Sequence, residues 1–289
     1  MTTLPANVFV RCSCGRLHWG RHGAAGLLLS DPERGVLLQR RAWWVHHGRT
    51  WALPGGALEA GETPREAAVR EAHEEAAVAP GTVRALSASV LEHGDWRYTT
   101  VVASVTGTIE ERVANSESAE LRWVRPDDVA GFRLHRDFAA AWPELRTQLD
   151  RTLVLVVDGA NVVGSRPDGW WRDRFGAAVR LRDELASLTE TGLPDTVVGG
   201  GAGQDWTWWP RVILVVEGKA RGVEPIPGVE VVDAETDGDS AIVALTRELR
   251  ADPGNHVVVA TADRELKSRV TSLGATTLGP ATLLAELRP

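Results

Sequence analysis

The stretch from Gly56 to Val78, GALEAGETPREAAVREAHEEAAV, constrains this chain more than any other. Thr63-Pro64 reads as a helix N-cap followed by Pro at the first helical position, where its missing N–H costs nothing. From there to Ala77 nearly every residue is Ala, Glu or Arg, all strong helix formers. On that helix Glu71, Glu74 and Glu75 stand at i, i+3 and i+4, so their carboxylates share one face. Three neighbouring anions repel one another and weaken an isolated helix. A hard divalent cation removes that penalty, and Mg²⁺ favours oxygen ligands together with substrate phosphates. Arg70 is placed to pair with a neighbouring carboxylate and fix its direction. A solvated Glu-rich face would explain the helix alone. It leaves unexplained the approach, Trp51-Ala-Leu-Pro-Gly-Gly56, which reads as a short buried strand, a tight turn and a loop into the helix.

The spacing is more specific than the composition. Gly56 is followed after five residues by Glu62, then after seven more by Arg70-Glu71, then by Glu74-Glu75 and Val78. This resembles the Nudix box, with Ala77 where the family usually has Gly. The change falls at the helix end, where Gly commonly adopts a left-handed conformation, and it bears on the following loop rather than on the metal ligands. The resemblance implies a pyrophosphohydrolase that uses Mg²⁺ or Mn²⁺. Its substrate would be a nucleoside triphosphate or a nucleoside diphosphate derivative, cleaved at a phosphoanhydride bond. Glu71, Glu74 and Glu75 would hold the metal and, with Arg70, carry catalysis. Gly55, Gly56 and Glu62 would face substrate. Such enzymes commonly carry one more glutamate ahead of a late strand, here Leu121–Val124. Glu117 matches that place best, as base or extra ligand, and Glu120 second.

At 289 residues, two domains are expected. Their boundary falls near Asp150, giving spans 1–150 and 151–289. The fold class is α/β twice over: a mixed-sheet α/β/α sandwich, then a doubly wound parallel sheet. In the first span, Gly23–Ser30 and Val36–Arg41 read as a hairpin ahead of the box. Val83–Val90 and Arg97–Ile109 read as two strands after it, joined by a loop, Glu92-His-Gly-Asp-Trp96, expected on the substrate side. Pro126–Ala130 and Leu134–Leu149 read as helices. The loop Ala42–Arg49, heavy in aromatic and basic residues, suits stacking on a base or touching a phosphate. Packing is an equal reading for Trp43 and Trp44.

The second span alternates strand and helix, the mark of a parallel sheet. Its strands, Leu153–Val157, Val212–Val216, Val229–Val232, Val257–Thr261 and Ala275–Leu278, are continuously apolar, as strands covered on both faces must be. Helices are expected at Phe175–Glu190, Asp239–Arg250, Arg264–Leu273 and Pro280–Leu287. Ligands bind such sheets at the carboxyl ends of the strands, and acids gather there. Asp158 ends the first strand in Asp-Gly-Ala-Asn161, Asp237-Gly-Asp239 opens a helix, and Asp263 follows a later strand in Thr-Ala-Asp. This order resembles the NYN family of PIN-like nucleases. The resemblance implies that Asp158, Asp239 and Asp263 bind Mg²⁺ or Mn²⁺, that Asn161 assists, that Asp237 is a further candidate, and that single-stranded RNA is a partner. The alternative reading of the same acids is helix caps and strand-end turns. Val198–Gly203 is Gly-rich but lacks the Gly-Lys-Ser/Thr ending of a P-loop, and it reads as a flexible surface loop. Asp205-Trp-Thr-Trp-Trp-Pro210 reads as a packed edge or domain contact rather than a base-stacking platform.

Net charge and cysteines bound the rest. The chain carries −7, with 17 basic against 19 acidic residues up to position 150 and 15 against 20 beyond it, so neither half is a basic nucleic-acid module in bulk. The absence of a long apolar run or a signal segment predicts a cytoplasmic protein with no membrane partner. Cys12 and Cys14 are the only cysteines. Two residues apart they would form a strained disulfide. With His18 and His22 they make a Cys₂His₂ set tighter in spacing than structural zinc sites, and a reduced pair in an N-terminal strand or turn is preferred. Two further function readings stand beside the hydrolase. One is a nucleotide sensor without turnover. The other is an RNA 5′-end processing and decay protein whose main activity is the second domain.

Overall fold

The structure, a computed structural model, describes residues 6–287. The outermost ends of the two expected spans, 1–5 and 288–289, lie outside the described residues. The chain divides into two compact units, Met1–Leu149 and Asp150–Pro289. No helix is long and apolar enough to cross a membrane, among the described residues.

The first unit opens with a hairpin of β1 (Phe9–Arg11) and β2 (Leu17–Trp19). Its mixed sheet is built from β3 (Ala24–Asp31), β4 (Gly35–Arg41), β5 (Trp51–Ala52), β6 (Gly55–Ala57), β7 (Val83–His93), β8 (Trp96–Val105) and β9 (Ser118–Val124). β3 is the hub: it runs parallel to β8 and antiparallel to β4 and β6. β7 closes on β8 through a hairpin whose last pair is His93 and Trp96, so the turn is tighter than the expected five-residue loop. β8 stops at Val105, four residues before the expected Ile109, where Thr106-Gly107 follows. β9 begins at Ser118 rather than Leu121, and pairs with β4 so that Glu120 stands opposite Arg40.

Helix α1 (Pro64–Ala76) lies against β3 and β6. Thr63 accepts a hydrogen bond from the Glu66 N–H, and Glu66 reaches back to the Thr63 N–H at 2.8 Å, a complete capping box. Its buried positions are Ala67, Ala68, Ala72, Ala76 and one charged residue, Glu75. Small side chains let the helix approach the sheet closely, and that brings a carboxylate in with them. α1 ends on Ala77 at φ 57°, ψ 24°, left-handed without a glycine. The Ala77 N–H bonds to His73 and the Val78 N–H to Ala72, so the helix-terminal motif survives the substitution. A second helix, α2 (Arg136–Arg146), follows a single 3₁₀ turn at Val129–Gly131.

The second unit carries β10 (Thr152–Asp158), α3 (Gly159–Gly164), α4 (Arg174–Leu185), α5 (Leu188–Thr191), β11 (Leu193–Pro194), α6 (Asp195–Val198), β12 (Trp206–Trp208), β13 (Arg211–Val216), β14 (Val229–Asp233), α7 (Gly238–Leu249), β15 (Asn255–Ala260), α8 (Arg264–Ser272), β16 (Thr276–Leu278) and α9 (Pro280–Glu286). The five strands of its main sheet are all parallel, in the order β14-β13-β10-β15-β16. Leu153, Leu155 and Val157 pack on one face with α4 residues Leu181 and Leu185. Val154 and Val156 pack on the other with Ile242 of α7 and Leu266 of α8. Both faces are therefore covered, which explains the unbroken apolar runs.

One local expectation is corrected here. The Val198–Gly203 segment is held rather than loose. Buried Asp195 accepts hydrogen bonds from the Ala202 and Gly203 N–H groups at 3.1 and 3.0 Å and from Trp208 Nε1 at 2.8 Å. Trp206 and Trp208 are buried, so they offer no face to a base.

Candidate functional site

The box residues meet where α1 passes beneath the β5–β6 loop. Glu75 is 2% exposed, and its Oε2 accepts hydrogen bonds from the Gly55 N–H at 2.8 Å and from Gln39 Nε2 at 2.9 Å. Gln39 in turn accepts from Ser118 Oγ at 2.7 Å. Burial pushes the Glu75 carboxyl up to about 8, against the pull of the Gly55 N–H. Glu71 is half-buried and is also raised, because burial outweighs the pull of Arg70, with Glu74 and Glu117 adding to it. A Cβ on Gly56 would push the Glu71 carboxylate from the place where Arg70 holds it, so glycine leaves that group room. Glu74 is exposed on the outer edge of the helix.

Arg70 binds this group together. Its guanidinium donates to both oxygens of Glu62 at 2.8 and 3.0 Å, to Glu71 Oε1 at 2.8 Å, and to the Ala57 carbonyl at 3.0 Å. A longer contact, 3.4 Å, reaches Glu74. The hydrogen bonds to Glu62 and Glu71 raise the Arg70 guanidinium further above its ordinary value. Burial alone would raise Glu62, but the hydrogen bonds from Arg70 hold it below the ordinary carboxylate range. Glu62, expected toward substrate, has both its oxygens engaged by Arg70, and it fixes the loop end against the helix.

Glu117 lies exposed in the turn before β9, near enough for its charge to raise Glu71. Glu120 is inside the strand and ion-paired with Arg40 at 3.2 Å and Arg122 at 2.5 Å. Trp43 and Trp44, at 70% and 57% exposure, stand edge to face on the 42–49 loop and pack into no core. Sequence reasoning missed Gln39 and Ser118. The one available signal was a polar residue closing the apolar run Val36-Leu-Leu-Gln39 on a buried strand.

In the second unit the strand order sets β10 between β13 and β15, so Asp158, Glu217 and Thr261 fall on one carboxyl edge. Asp158 is buried. Its Oδ1 caps α3 through the Asn161 N–H at 3.0 Å, and its Oδ2 accepts from Thr261 Oγ1 at 2.8 Å. Asn161 Oδ1 accepts from the Ala262 N–H at 2.8 Å, tying α3 to the end of β15. Asp263 caps α8 through the Leu266 N–H at 2.7 Å, and Asp237 caps α7 through the Ser240 N–H at 2.8 Å. Asp239, half-buried in the first turn of α7, caps nothing. It is raised by burial and then by the charge of Asp263, and Asp158 is raised by burial with Asp239 and Glu217 adding. Glu217, missed in the sequence, follows β13 directly and accepts from the Gly238 N–H at 2.7 Å. Reading the carboxyl end of every strand would have found it.

Among the described residues, the set of three metal-ligating side chains whose donor atoms all lie within 4.8 Å of one another is Cys12, Cys14 and His18. Neither acidic group is drawn in so tightly. His22 is outside the set.

A carboxylate-bearing helix beneath a glycine loop of a mixed sheet defines the architecture of the first unit. Residues 20–145 match the family profile described as NUDIX domain, and this part of the chain is a Nudix domain. It is similar to "Putative 8-oxo-dGTP diphosphatase 3" of Mycobacterium tuberculosis, 48% identical over 143 residues, which are 46% of this chain and 65% of that protein. It is also similar to "Nucleoside triphosphate pyrophosphatase/Nudix hydrolase fusion protein" of Bifidobacterium longum, 41% identical over 154 residues, 50% of this chain and 32% of that one. The chain thus spans less than two thirds of the length of either. The crystal structure of RenU, a Nudix hydrolase from M. smegmatis, is 45% identical, with a TM-score of 0.44, covering 49% of this chain and 93% of that one.

Proposed function

We propose that the first unit is a Mg²⁺-dependent pyrophosphohydrolase that cleaves a phosphoanhydride bond of a nucleoside triphosphate or nucleoside diphosphate derivative. The observation that carries this reading is the burial of Glu75 and Glu71 against a loop whose glycine spacing leaves room for the Glu71 carboxylate. Carboxylates held where burial opposes their charge are costly unless a cation shares the site. Their hard oxygen donors suit Mg²⁺ or Mn²⁺. With Glu71, Glu74 and Glu75 as ligands, the ion would neutralise phosphate charge and make a bound water more acidic. Arg70 keeps Glu71 aimed, Glu62 keeps Arg70 aimed, and Gln39 with the Gly55 N–H fixes Glu75. Glu117, exposed in the turn before β9, would take a proton from the attacking water.

The name of the mycobacterial relative makes oxidised purine triphosphates the first substrates to test. Purified full-length protein with Mg²⁺ is to be screened against 8-oxo and ordinary nucleoside triphosphates, ADP-ribose, NADH, dinucleoside polyphosphates and capped RNA. Release of pyrophosphate and monophosphate from a triphosphate is the expected result. Tight nucleotide binding with no turnover of any of them would favour the sensor reading instead.

For the second unit we infer a PIN-like, NYN-type nuclease fold acting on single-stranded RNA. The support is an acidic sheet edge where Asp263 and Glu217 help to raise Asp239, and Asp239 and Glu217 help to raise Asp158. Metal-dependent cleavage by the full chain, lost in Asp239→Asn but kept in Glu75→Gln, is the expected outcome. Cleavage that is indifferent to Asp239 would leave Asp158, Asp237 and Asp263 as helix caps only.

A further inference from the structure

The β1–β2 hairpin carries a cluster that the phosphate chemistry does not use. Cys12 and Cys14 flank the turn after β1, and His18 lies on β2. Cys14 Sγ is 3.2 Å from His18 Nε2, the Cys14 N–H donates to Cys12 Sγ at 3.3 Å, and all three donor atoms lie within 4.8 Å of one another. Tetrahedral zinc with sulfur and nitrogen ligands at about 2.3 and 2.0–2.1 Å places those donors roughly 3.6–3.8 Å apart. Only a small adjustment of the side chains brings the cluster to that spacing.

The surroundings are built to hold these side chains still. The turn is closed by Gly15 N–H to the Cys12 carbonyl at 2.9 Å, with Gly15 at φ +83°. The His18 ring is stacked on Trp96 at 4.3 Å and on His93 at 4.8 Å, which fixes the plane in which its nitrogens point. The β7–β8 hairpin tip presses on the same turn. The Cys12 thiol donates to the His93 carbonyl oxygen, a bond that metal binding replaces, and Ser13 donates to Asp95 Oδ1 through its N–H at 2.8 Å and its hydroxyl at 3.1 Å. Gly94 turns the tip at φ +62°, a left-handed conformation that suits glycine, and brings it against Ser13 and Cys12. This tip, expected on the substrate side, also seats the cysteine turn.

We propose that Cys12, Cys14 and His18 bind one zinc-class cation that closes the β1–β2 hairpin on itself beside the β7–β8 tip, separate from the acidic helix. Two soft thiolates and an imidazole select Zn²⁺ over Mg²⁺. Binding displaces the two thiol protons to solvent, and a water or the carboxylate of Asp95 on the tip completes the tetrahedron. The site is structural, since it lies on the hairpins and shares no residue with the box.

The test uses the full chain purified without chelator from zinc-supplemented culture. Elemental analysis should find about one zinc per chain. After stripping, Co²⁺ should give a thiolate charge-transfer band and the visible bands of a tetrahedral ion, and chelation should lower Tm. Cys12→Ser, Cys14→Ser and His18→Gln should each lose the metal, while His22→Gln and Glu75→Gln keep it. Wild-type protein without zinc and without a cobalt–thiolate band would overturn the proposal, as would zinc retained by the Cys12→Ser/Cys14→Ser double variant. If the cysteine variants fail to fold, the cobalt spectrum and chelation of the wild type decide alone.

Discussion

In the first unit the acids come from a single helix, and in the second they come from separate strands. Glu71, Glu74 and Glu75 are neighbours because a helix turns every 3.6 residues, so sequence spacing is already geometry. Asp158 and Thr261 are 103 residues apart and meet only because β10 lies beside β15. The division of labour differs as well. In the box, capping falls to Thr63 and Glu66, and the metal candidates are free of it. At the sheet edge, Asp158 and Asp263 each cap a helix. A site whose residues also hold the fold cannot be probed by activity loss alone.

The sharpest way to break this contrast is at the box. Glu74→Gln and Glu75→Gln should each lower turnover by roughly 10²-fold or more, the scale of losing one preorganised electrostatic contact. Circular dichroism should show the fold retained. Full hydrolysis in both variants would sink the metal assignment. Next in size, Glu117→Gln should lower kcat roughly tenfold or more with KM little changed, a loss below the usual scale of general-base removal because the ion shares the work. Glu120→Gln, already occupied by Arg40 and Arg122, should move kcat little; equal small effects would make both glutamates ordinary surface charges.

At the sheet edge the two roles separate by residue. Asp263→Ala should cost about 1 kcal/mol of stability through the α8 cap, whereas Asp239→Ala should cost less, because Asp239 caps nothing and its removal relieves repulsion. Urea melts of the two variants measure this. Equal destabilisation would show that Asp239 has a structural role as well.

A pH series refines the box. The Glu75 carboxyl is raised in the folded state to about 8, so the native protein holds a proton that the unfolded chain releases at lower pH. That contribution is full below the unfolded carboxyl pKa and is lost as pH rises through about 8. Metal-free wild type should therefore lose stability across this window, on the order of 1 kcal/mol or more, while Glu75→Gln shows a flatter profile in thermal melts. The smallest effect concerns Ala77. Ala77→Gly should stabilise by about 1 kcal/mol by removing the left-handed penalty, read as a shift in urea midpoint at constant slope.

The box helix, its cap and all five strands of the parallel sheet were legible in the sequence, because each is written in local spacing or in an apolar run. Gln39 and Ser118 were not, since they reach Glu75 across the fold through a hydrogen-bonded row. Helix α3 was hidden too: Gly159–Gly164 continues an apolar run, and only the Asp158 cap onto Asn161 turns the chain there. The Val198–Gly203 segment looked loose because the carboxylate that holds it, Asp195, acts through atoms that composition cannot align. Trp43 and Trp44 were undecided, since indole suits a core or a surface equally well. Their exposure comes from the loop's position.

The left-handed Ala77 also sets a clock. Its strain is stored beside the turn that carries Glu74 and Glu75, so the free energy needed to open that turn is smaller than glycine would give. Amide hydrogens of Ala77 and Val78 should consequently exchange with deuterium sooner than those at the Ala67–Ala72 centre of the helix. A ligand gathering the two glutamates would slow that exchange. The methyl group thus makes the order of the helix end, and not only its chemistry, responsive to what occupies the site.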